Sequence, residues 1–135
     1  MIAHLQAVAA LLAPLDRPVH LIDAAGALVY PYYLVWPSTG APGLDGALDQ
    51  NADLSFLIGV TSVGKTVESA GITARRGKAV LGPTKFVPLT VAGRKAAIRW
   101  EGLASANVDR DVTFTDTDRH PAFEAHLYRV ESIPV

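Results

Sequence analysis

At 135 residues, the chain is long enough to form one domain whose hydrophobic core needs neither disulfides nor metals. Twelve basic and thirteen acidic side chains give a net charge of −1, which argues against a basic nucleic-acid-binding protein, and the lack of cysteine excludes thiol chemistry. Half of the residues are hydrophobic and only 19% are charged, so we expect assembly to hide part of the surface. No apolar run approaches the roughly twenty residues that span a bilayer, so we expect no membrane partner.

The N-terminal segment predicts a first helix over residues 2–13, because its apolar residues recur at helical spacing and Pro14 stops them. The segment is apolar nearly all round, with only His4 and Gln6 polar. We therefore expect the helix to be covered on more than one side, with His4 at its polar edge.

The next segments predict strands. Residues 19–22 could form a short strand. Residues 27–36 are rich in β-branched and aromatic side chains and predict a second strand, which the pattern indicates most clearly from Tyr32 onward. Pro31 cannot donate a ladder hydrogen bond, which predicts a bulge or a sheet edge there. Residues 37–51 contain three glycines and two prolines and connect two strands that we expect to pair as a hairpin. Their length predicts a projecting arm that a partner orders.

The stretch from Asp53 to Pro83 predicts a strand of about nine residues starting near Leu54, a tight transition at residues 62–64 and a helix over Thr66–Leu81. It also matches the sequence motif of a phosphate-binding P-loop, whose defined positions are Gly59, Gly64, Lys65 and Thr66.

The P-loop interpretation conflicts with the chemistry of these residues. Three of the four residues between Gly59 and Gly64 are β-branched, and the apolar alternation continues through them, whereas a phosphate cradle needs glycines with positive φ. The apolar run that ends in an Asp, residues 19–23, lies before the loop, while a nucleotide hydrolase holds Mg²⁺ on a strand after it. We expect no nucleotide cofactor and interpret the match as chance.

The predicted central helix turns mostly small residues toward the sheet and stops at Gly82-Pro83. The inward residues are Val67, Ala70, Gly71, Ala74 and Leu81, and a basic cluster at the C-terminal end suits the helix dipole: Arg75, Arg76 and Lys78.

The C-terminal part predicts strands over residues 86–92 and 96–102 around a turn at residues 93–95, and a last, half-exposed strand over residues 122–132. Between them, the acidic segment 107–119 interleaves its aspartates with arginines. Only His120 stands near these carboxylates at ligand spacing, so we predict a solvated loop without a metal. No catalytic residues are visible.

Together these elements predict one α/β (α+β) domain over residues 1–135. We expect a mostly antiparallel sheet of four to five strands, two helices packed on it and a long β-hairpin arm.

Short motifs accompany this order of elements. Tyr30-Pro31-Tyr32 precedes the first strong strand, and residues 60–64 (VTSVG) precede the central helix. Residues 91–94 (VAGR) follow that helix, and residues 130–134 (VESIP) close the last strand. In these motifs and this order, the chain resembles the tail terminator (tail-completion, often labelled minor tail) proteins of long-tailed bacteriophages.

The resemblance implies a ring, hexameric in that family, that sits on the last ring of the tail tube. Such a ring stops polymerisation of the tube and presents a surface for head attachment, and DNA later passes through its bore. The implied partners are further copies of the chain, the tail tube protein and a head-completion (neck) protein. The implied location is the head-proximal end of the virion tail, after assembly in the host cytoplasm. The family brings no catalytic residues with it.

Two alternatives stay open. One is another neck or tail component, such as a connector or tube protein, and the other is an enzyme: a P-loop nucleotide-binding protein or a small hydrolase that uses His120, His126 and a nearby Asp. We expect two groups of residues at the interfaces with partners. The first group, in the arm, is Gly40, Leu44 and Asp45, and the second, near the 93–95 turn, is Arg94, Lys95 and Arg99. The balanced charge predicts that DNA passes without tight binding.

Overall fold

The computed structural model describes residues 2–24, 28–38, 53–114 and 119–135. Within these ranges it contains two α-helices and six strands, so the predicted α+β class is confirmed and the sheet is larger than the four to five strands expected. The elements in chain order are α1 (Ile2–Leu12), a 3-10 turn (Ala13–Leu15), β1 (Val19–Leu21), β2 (Tyr32–Pro37), β3 (Leu54–Gly64), α2 (Val67–Val80), β4 (Val87–Val91), β5 (Arg94–Val108) and β6 (Ala122–Pro134).

The strands form one sheet in the order β1-β2-β3-β6-β5-β4. Every neighbouring pair is antiparallel except β1 and β2, which run parallel. The predicted hairpin between β2 and β3 is confirmed by the register that pairs Tyr32 with Val63 and Pro37 with Ile58. The arm that joins them lies outside the described residues from Thr39 onward. The C-terminal strand β6 lies at the centre of the sheet, between β3 and β5, so the last residues of the chain complete the fold.

Both helices pack on the same face of the sheet, which we call the helix face. Leu5 of α1 and Tyr33 of β2 belong to one buried core, and the Tyr33 hydroxyl donates to the backbone oxygen of Thr73 in α2 at 2.7 Å. Alternate residues of the strands face this core, as the pleat requires; in β3 they are Phe56, Ile58 and Val60. The other side of the sheet, the open face, carries no helix within the described part of the chain.

Helix α2 begins at a side-chain cap, since the hydroxyl of Thr66 accepts a hydrogen bond from the backbone N–H of Ser69 at 3.0 Å. Its small residues let the axis approach the sheet: a Cβ on Gly77 would lie 2.9 Å from a ring carbon of Tyr33. The predicted inward face is confirmed except at Val67, whose side chain is 66% exposed. Val67 lies in the first turn, beyond the end of β3 at Gly64, where it borders a groove instead of the core.

Most of the segment with the P-loop letters, from Gly59 to Gly64, lies in strand β3, and Lys65 and Thr66 lead into α2. Gly59 is paired with Trp36 on one side and with Leu127 on the other, so its backbone belongs to two ladders. The glycines with positive φ in the described chain are Gly82 and Gly93. The predicted strand is therefore confirmed and is longer than expected.

Strand β5 differs from the prediction at both ends. The turn before it is tighter than expected, because Gly93 adopts a φ of 75° and Arg94 already belongs to the strand. The strand then continues to Val108 instead of ending at Gly102. Residues 103–108 have weak β-propensity as a group, and pairing with β6 holds them extended.

Candidate assembly surfaces

The open face of the sheet is the largest surface that the fold leaves without a helix. Strand alternation places half-buried apolar side chains there, among them Leu34, Leu57 and Leu127. Charged residues stand among them, such as Arg129 and Glu131 of β6. A sheet face of this mixed kind is solvated in part and is available to a partner.

An apolar groove of about 370 Å³ lies at the end of the open face next to the β4–β5 turn. Phe86, Pro88 and Ile133 line it, and Phe86 and Ile133 are 43% and 45% exposed. Lys95 lines the same groove, and the guanidinium of Arg99 lies 5.1 Å from the centre of the Phe86 ring. The structure thus brings two of the predicted interface cations next to an exposed apolar surface. The sequence pattern does not reveal Phe86 and Ile133 as neighbours, because they lie in distant segments that only the folded sheet brings together.

Arg94, the third cation predicted at an interface, is placed differently. It faces the helix side of β5, where its Nε donates to the Ser132 hydroxyl at 2.6 Å and its Nη2 donates to the Ser132 backbone oxygen at 3.0 Å. Its guanidinium is therefore engaged within the subunit. A role for Arg94 at an interface stays a prediction, and Lys95 and Arg99 are the better placed pair.

His4 lies in α1 with its side chain buried against the sheet, so its prediction as a polar-edge residue is wrong. Its side chain is 3% exposed, its ring meets that of Phe56 edge-on at 5.2 Å, and its Nε2 lies 2.9 Å from the Ser132 hydroxyl. Burial, aided by the positive charge of Arg94, lowers the pKa of His4 to about 4. Ser132 can accept from Arg94 and donate to a neutral His4, which joins α1, β5 and β6 through one hydroxyl.

Ion pairs occupy the middle of the open face. Arg129 contacts Glu101 at 3.4 Å and also donates to the Ser55 hydroxyl at 3.3 Å, while that hydroxyl donates to Glu131 at 3.0 Å. Arg99 lies 4.0 Å from Glu101. Such partly exposed pairs add little stability, but they place an acid beside each of these two arginines.

An aromatic cavity of about 480 Å³ lies at the opposite end of the open face. Tyr30, Tyr32, Trp36 and Phe123 line it, and Asp109 contributes a carboxylate. The Trp36 indole N–H is already satisfied, since it donates to the Thr61 hydroxyl at 2.9 Å. Tyr33, from the same aromatic segment, faces the other side of the sheet and is fully buried in the core.

The histidines of the hydrolase alternative are held by other groups. His126 receives the indole N–H of Trp100 on Nδ1 at 3.0 Å, and its Nε2 lies 3.0 Å from Glu124. Both ring nitrogens are thus engaged. The Nδ1 of His120 lies 2.6 Å from the Val112 backbone oxygen. Among the residues that the structure describes, no three His, Asp or Glu side chains gather as a metal site.

The arm residues of the predicted interface, Gly40, Leu44 and Asp45, lie outside the described residues. No described helix is long and apolar enough to cross a membrane.

Comparison with known proteins informs the fold. No known family matches the sequence, and no curated protein is similar to it. Among solved structures, the chain is similar to one from the virion of a native gene transfer agent (GTA) particle, with 18% identity and a TM-score of 0.51 over 95% of this chain and 89% of that one. A second solved structure, also 18% identical, aligns with a TM-score of 0.47 over 84% of this chain and 79% of the other. The first similarity extends over nearly the whole chain and shows a shared fold.

Proposed function

We propose that this protein is a structural virion protein, a tail-terminator-like subunit that forms a ring at the head-proximal end of a phage tail. The observation that carries the proposal is the likeness in fold to a chain of a gene transfer agent virion, which covers 95% of this chain. The motifs that resemble tail terminators supply the narrower assignment within virion proteins.

The surface of the subunit supports assembly. The helices cover one side of the sheet, and the other side presents a groove in which Phe86 and Ile133 are both more than 40% exposed. Apolar surface of this kind, rimmed by Lys95 and Arg99, is typical of a protein interface. Stable interfaces bury about 800 Å² on each partner, and the subunit exposes 7581 Å², so its surface has room for more than one interface of that size.

The proposed partners are those of the resemblance: neighbouring copies in a ring, hexameric by analogy, the tail tube protein and a head-completion protein. In this role the protein is not an enzyme and needs no cofactor or metal. DNA would pass through the bore of the ring without being held.

The first experiment is negative-stain electron microscopy of the purified protein together with sedimentation velocity. Rings with a central hole, and a sedimentation coefficient several times that of a monomer, are the expected results. A protein that stays monomeric at every concentration, and also with the tube protein added, contradicts the proposal.

The second experiment removes the gene from the producing phage or element. We expect tubes of uncontrolled length without attached heads, because nothing stops polymerisation of the tube. Tubes of normal length without heads would indicate a neck connector, and a loss of all tubes would indicate a tube protein.

A further inference from the structure

The outer edge of strand β5 is a backbone surface that the fold leaves exposed. Strand β4 pairs only with residues 94–98 of β5, and the Trp100 N–H then donates to the Gly82 backbone oxygen at 2.8 Å. Beyond that point residues 103–107 are all exposed, although β6 holds them in the sheet from the other side. In the part of the chain that is described, nothing pairs with this edge, and we call residues 102–108 the β5 overhang.

The β5 overhang lacks the side chains that normally protect an edge. Its sequence, GLASANV, contains neither a charge nor a proline, whereas Glu101 and Asp109 flank it. Leu103 is 56% exposed there. One register shift, at Glu101, lies just before the overhang, and a second, at Ala104, interrupts its first half. Residues 105–108 pair with β6 in regular register. In the regular part, the Val108 N–H already donates to the Asn107 side-chain oxygen at 2.7 Å, and the other outward N–H and C=O groups are offered to one more strand.

The opposite edge of the sheet also lacks charged side chains. Strand β1 pairs with β2 from Pro18 to Ile22, through the Tyr33 N–H to the Pro18 oxygen at 2.9 Å and the Ile22 N–H to the Val35 oxygen at 2.7 Å. Its other side faces outward, where the Leu21 oxygen accepts from the Asp23 N–H at 2.7 Å and the backbone groups of Val19 and the Leu21 N–H have no partner strand in the described chain. Residues 18–22, PVHLI, contain no Lys, Arg, Asp or Glu and lie between Arg17 and Asp23, and Ile22 is 44% exposed.

From these two edges we infer that the β5 overhang pairs with β1 of a neighbouring copy, so that the sheets of adjacent subunits join into one. The inference rests on the proposed ring, because a closed ring needs two different surfaces that fit each other. An exposed edge accepts a strand through main-chain hydrogen bonds, and the sheet ends in one such edge on each side.

Strand directions agree with this pairing. Within one subunit β1 is parallel to β2, and three successive antiparallel pairings lead from β2 to β5, so β1 and β5 run in opposite directions. A rotation about an axis that lies along the strands preserves these directions. Strand β1 of the neighbour would therefore meet β5 antiparallel, with its Arg17 end near Asp109.

Cysteine cross-linking tests the pairing directly, because the chain contains no cysteine of its own. One preparation carries Ile22→Cys, and the others carry Leu103→Cys, Ser105→Cys or Asn107→Cys, all at exposed positions. A disulfide forms only where the two Cα atoms come within about 7 Å. We expect an oxidised mixture of Ile22→Cys with at least one of the three to give a cross-linked dimer, and each variant alone to give none.

The outcomes separate the possible arrangements. Cross-links in a β5 variant alone would show β5 pairing with β5 across a twofold axis and would overturn the inference. Wild-type rings without any Ile22–β5 cross-link would overturn it as well and leave the ring proposal intact. A wild-type protein that never assembles would instead refute the proposed function.

A charge on the edge gives an independent test. Leu103→Lys adds a charge to the overhang, and Ala79→Lys adds one at an exposed position of α2 as the matched control. We expect Leu103→Lys to keep its circular dichroism spectrum and melting temperature but to sediment as a monomer, while Ala79→Lys forms rings. Rings formed by a folded Leu103→Lys protein would contradict the inference.

Discussion

Gly59 fits the letters of a nucleotide-binding motif and also has a packing role in the sheet. A Cβ at this position would lie 2.1 Å from two ring atoms of Trp36, on the neighbouring strand. Trp36 is fixed in turn by its hydrogen bond to Thr61. The missing side chain makes room for the indole, so the glycine is required by the sheet.

A pair of glycine substitutions tests this explanation. We expect Gly59→Ala to lower the free energy of unfolding by roughly 1–3 kcal/mol, because the Trp36 ring has to move. Gly102→Ala is the matched control: no atom lies within 4 Å of the added Cβ, so its effect should stay within about 0.5 kcal/mol. Urea unfolding of both variants measures the difference, and equal effects would rule out the packing role.

His4 makes stability depend on pH. Its folded pKa of about 4 lies below its ordinary value of 6.5, so the unfolded chain binds a proton that the folded chain excludes. The contribution of neutral His4 to the free energy of unfolding is fully present above pH 6.5. It is lost as the pH falls from 6.5 toward 4, by an amount on the order of 2–3 kcal/mol.

The measurement is chemical unfolding at several pH values between 7 and 4, for the wild type and for His4→Gln. Glutamine can still hydrogen-bond to Ser132 but does not titrate, so the variant should lose less stability over this interval. The comparison of slopes removes the contribution of Asp and Glu groups. Identical slopes in the two proteins would contradict the assignment of a neutral, buried His4.

At the scale of elements, the sequence predicted the parts that depend on local pattern. The alternation from Leu54 onward indicated β3, and Gly82-Pro83 marked the end of α2. Both depend on side-chain period and stop signals, which a single segment contains.

The features that the sequence did not reveal depend on distant segments. Residues 103–108 extend β5 because β6 lies beside them, and His4 is buried because Phe56 and Ser132 meet it across the core. The apolar groove also depends on distant segments, because Phe86 lies in the segment before β4 and Ile133 lies in β6. Local pattern contains none of these juxtapositions, so only the structure places two of the three predicted interface cations, Lys95 and Arg99, beside the groove.

Helix α2 provides a test of nucleotide binding, because Thr66 has a different role in each interpretation. In the structure its hydroxyl caps the helix, so Thr66→Ala should cost about 1 kcal/mol of stability without any nucleotide, and Thr66→Ser should cost little. ATP or GTP with Mg²⁺ should not raise the melting temperature of the wild type. Ligand at 100 times its dissociation constant would add about 2.7 kcal/mol, so a shift that disappears in Lys65→Ala would establish a nucleotide site.

For the whole molecule, the proposed tail role predicts that the groove beside the β4–β5 turn is needed for tail joining but not for folding. Ile133→Lys places a charge in the groove at a position that is 45% exposed, so stability should change by less than about 1 kcal/mol while joining of tails to heads or tubes fails. Val135→Lys, at a side chain that is 95% exposed and does not line the groove, is the control and should assemble normally. Complementation of a gene deletion measures the assembly of both variants. Normal tail joining by Ile133→Lys would show that the groove is not part of the interface.

The distribution of charge predicts how the proposed ring interacts with DNA. A bore through which DNA slides has to avoid tight phosphate binding, because each neutralised phosphate adds affinity by releasing counterions. On the open face Arg129 and Arg99 stand beside Glu101, and Lys95 and Glu131 line the same groove. With a net charge of −1 as well, the protein should bind long duplex DNA neither as a subunit nor as a ring at physiological salt.

A gel-shift titration across a salt series measures this expectation, and a charge-reversed variant provides the positive control. Glu101→Lys combined with Glu131→Lys removes the acids that accompany the open-face cations and changes the net charge from −1 to +3, because each substitution adds two charges. That variant should bind DNA at low salt and lose affinity steeply as salt rises, since its cations are no longer offset. Micromolar binding by the wild type with the same steep salt dependence would show that the paired acids do not neutralise this face. It would contradict the proposal that DNA passes through the ring without tight binding.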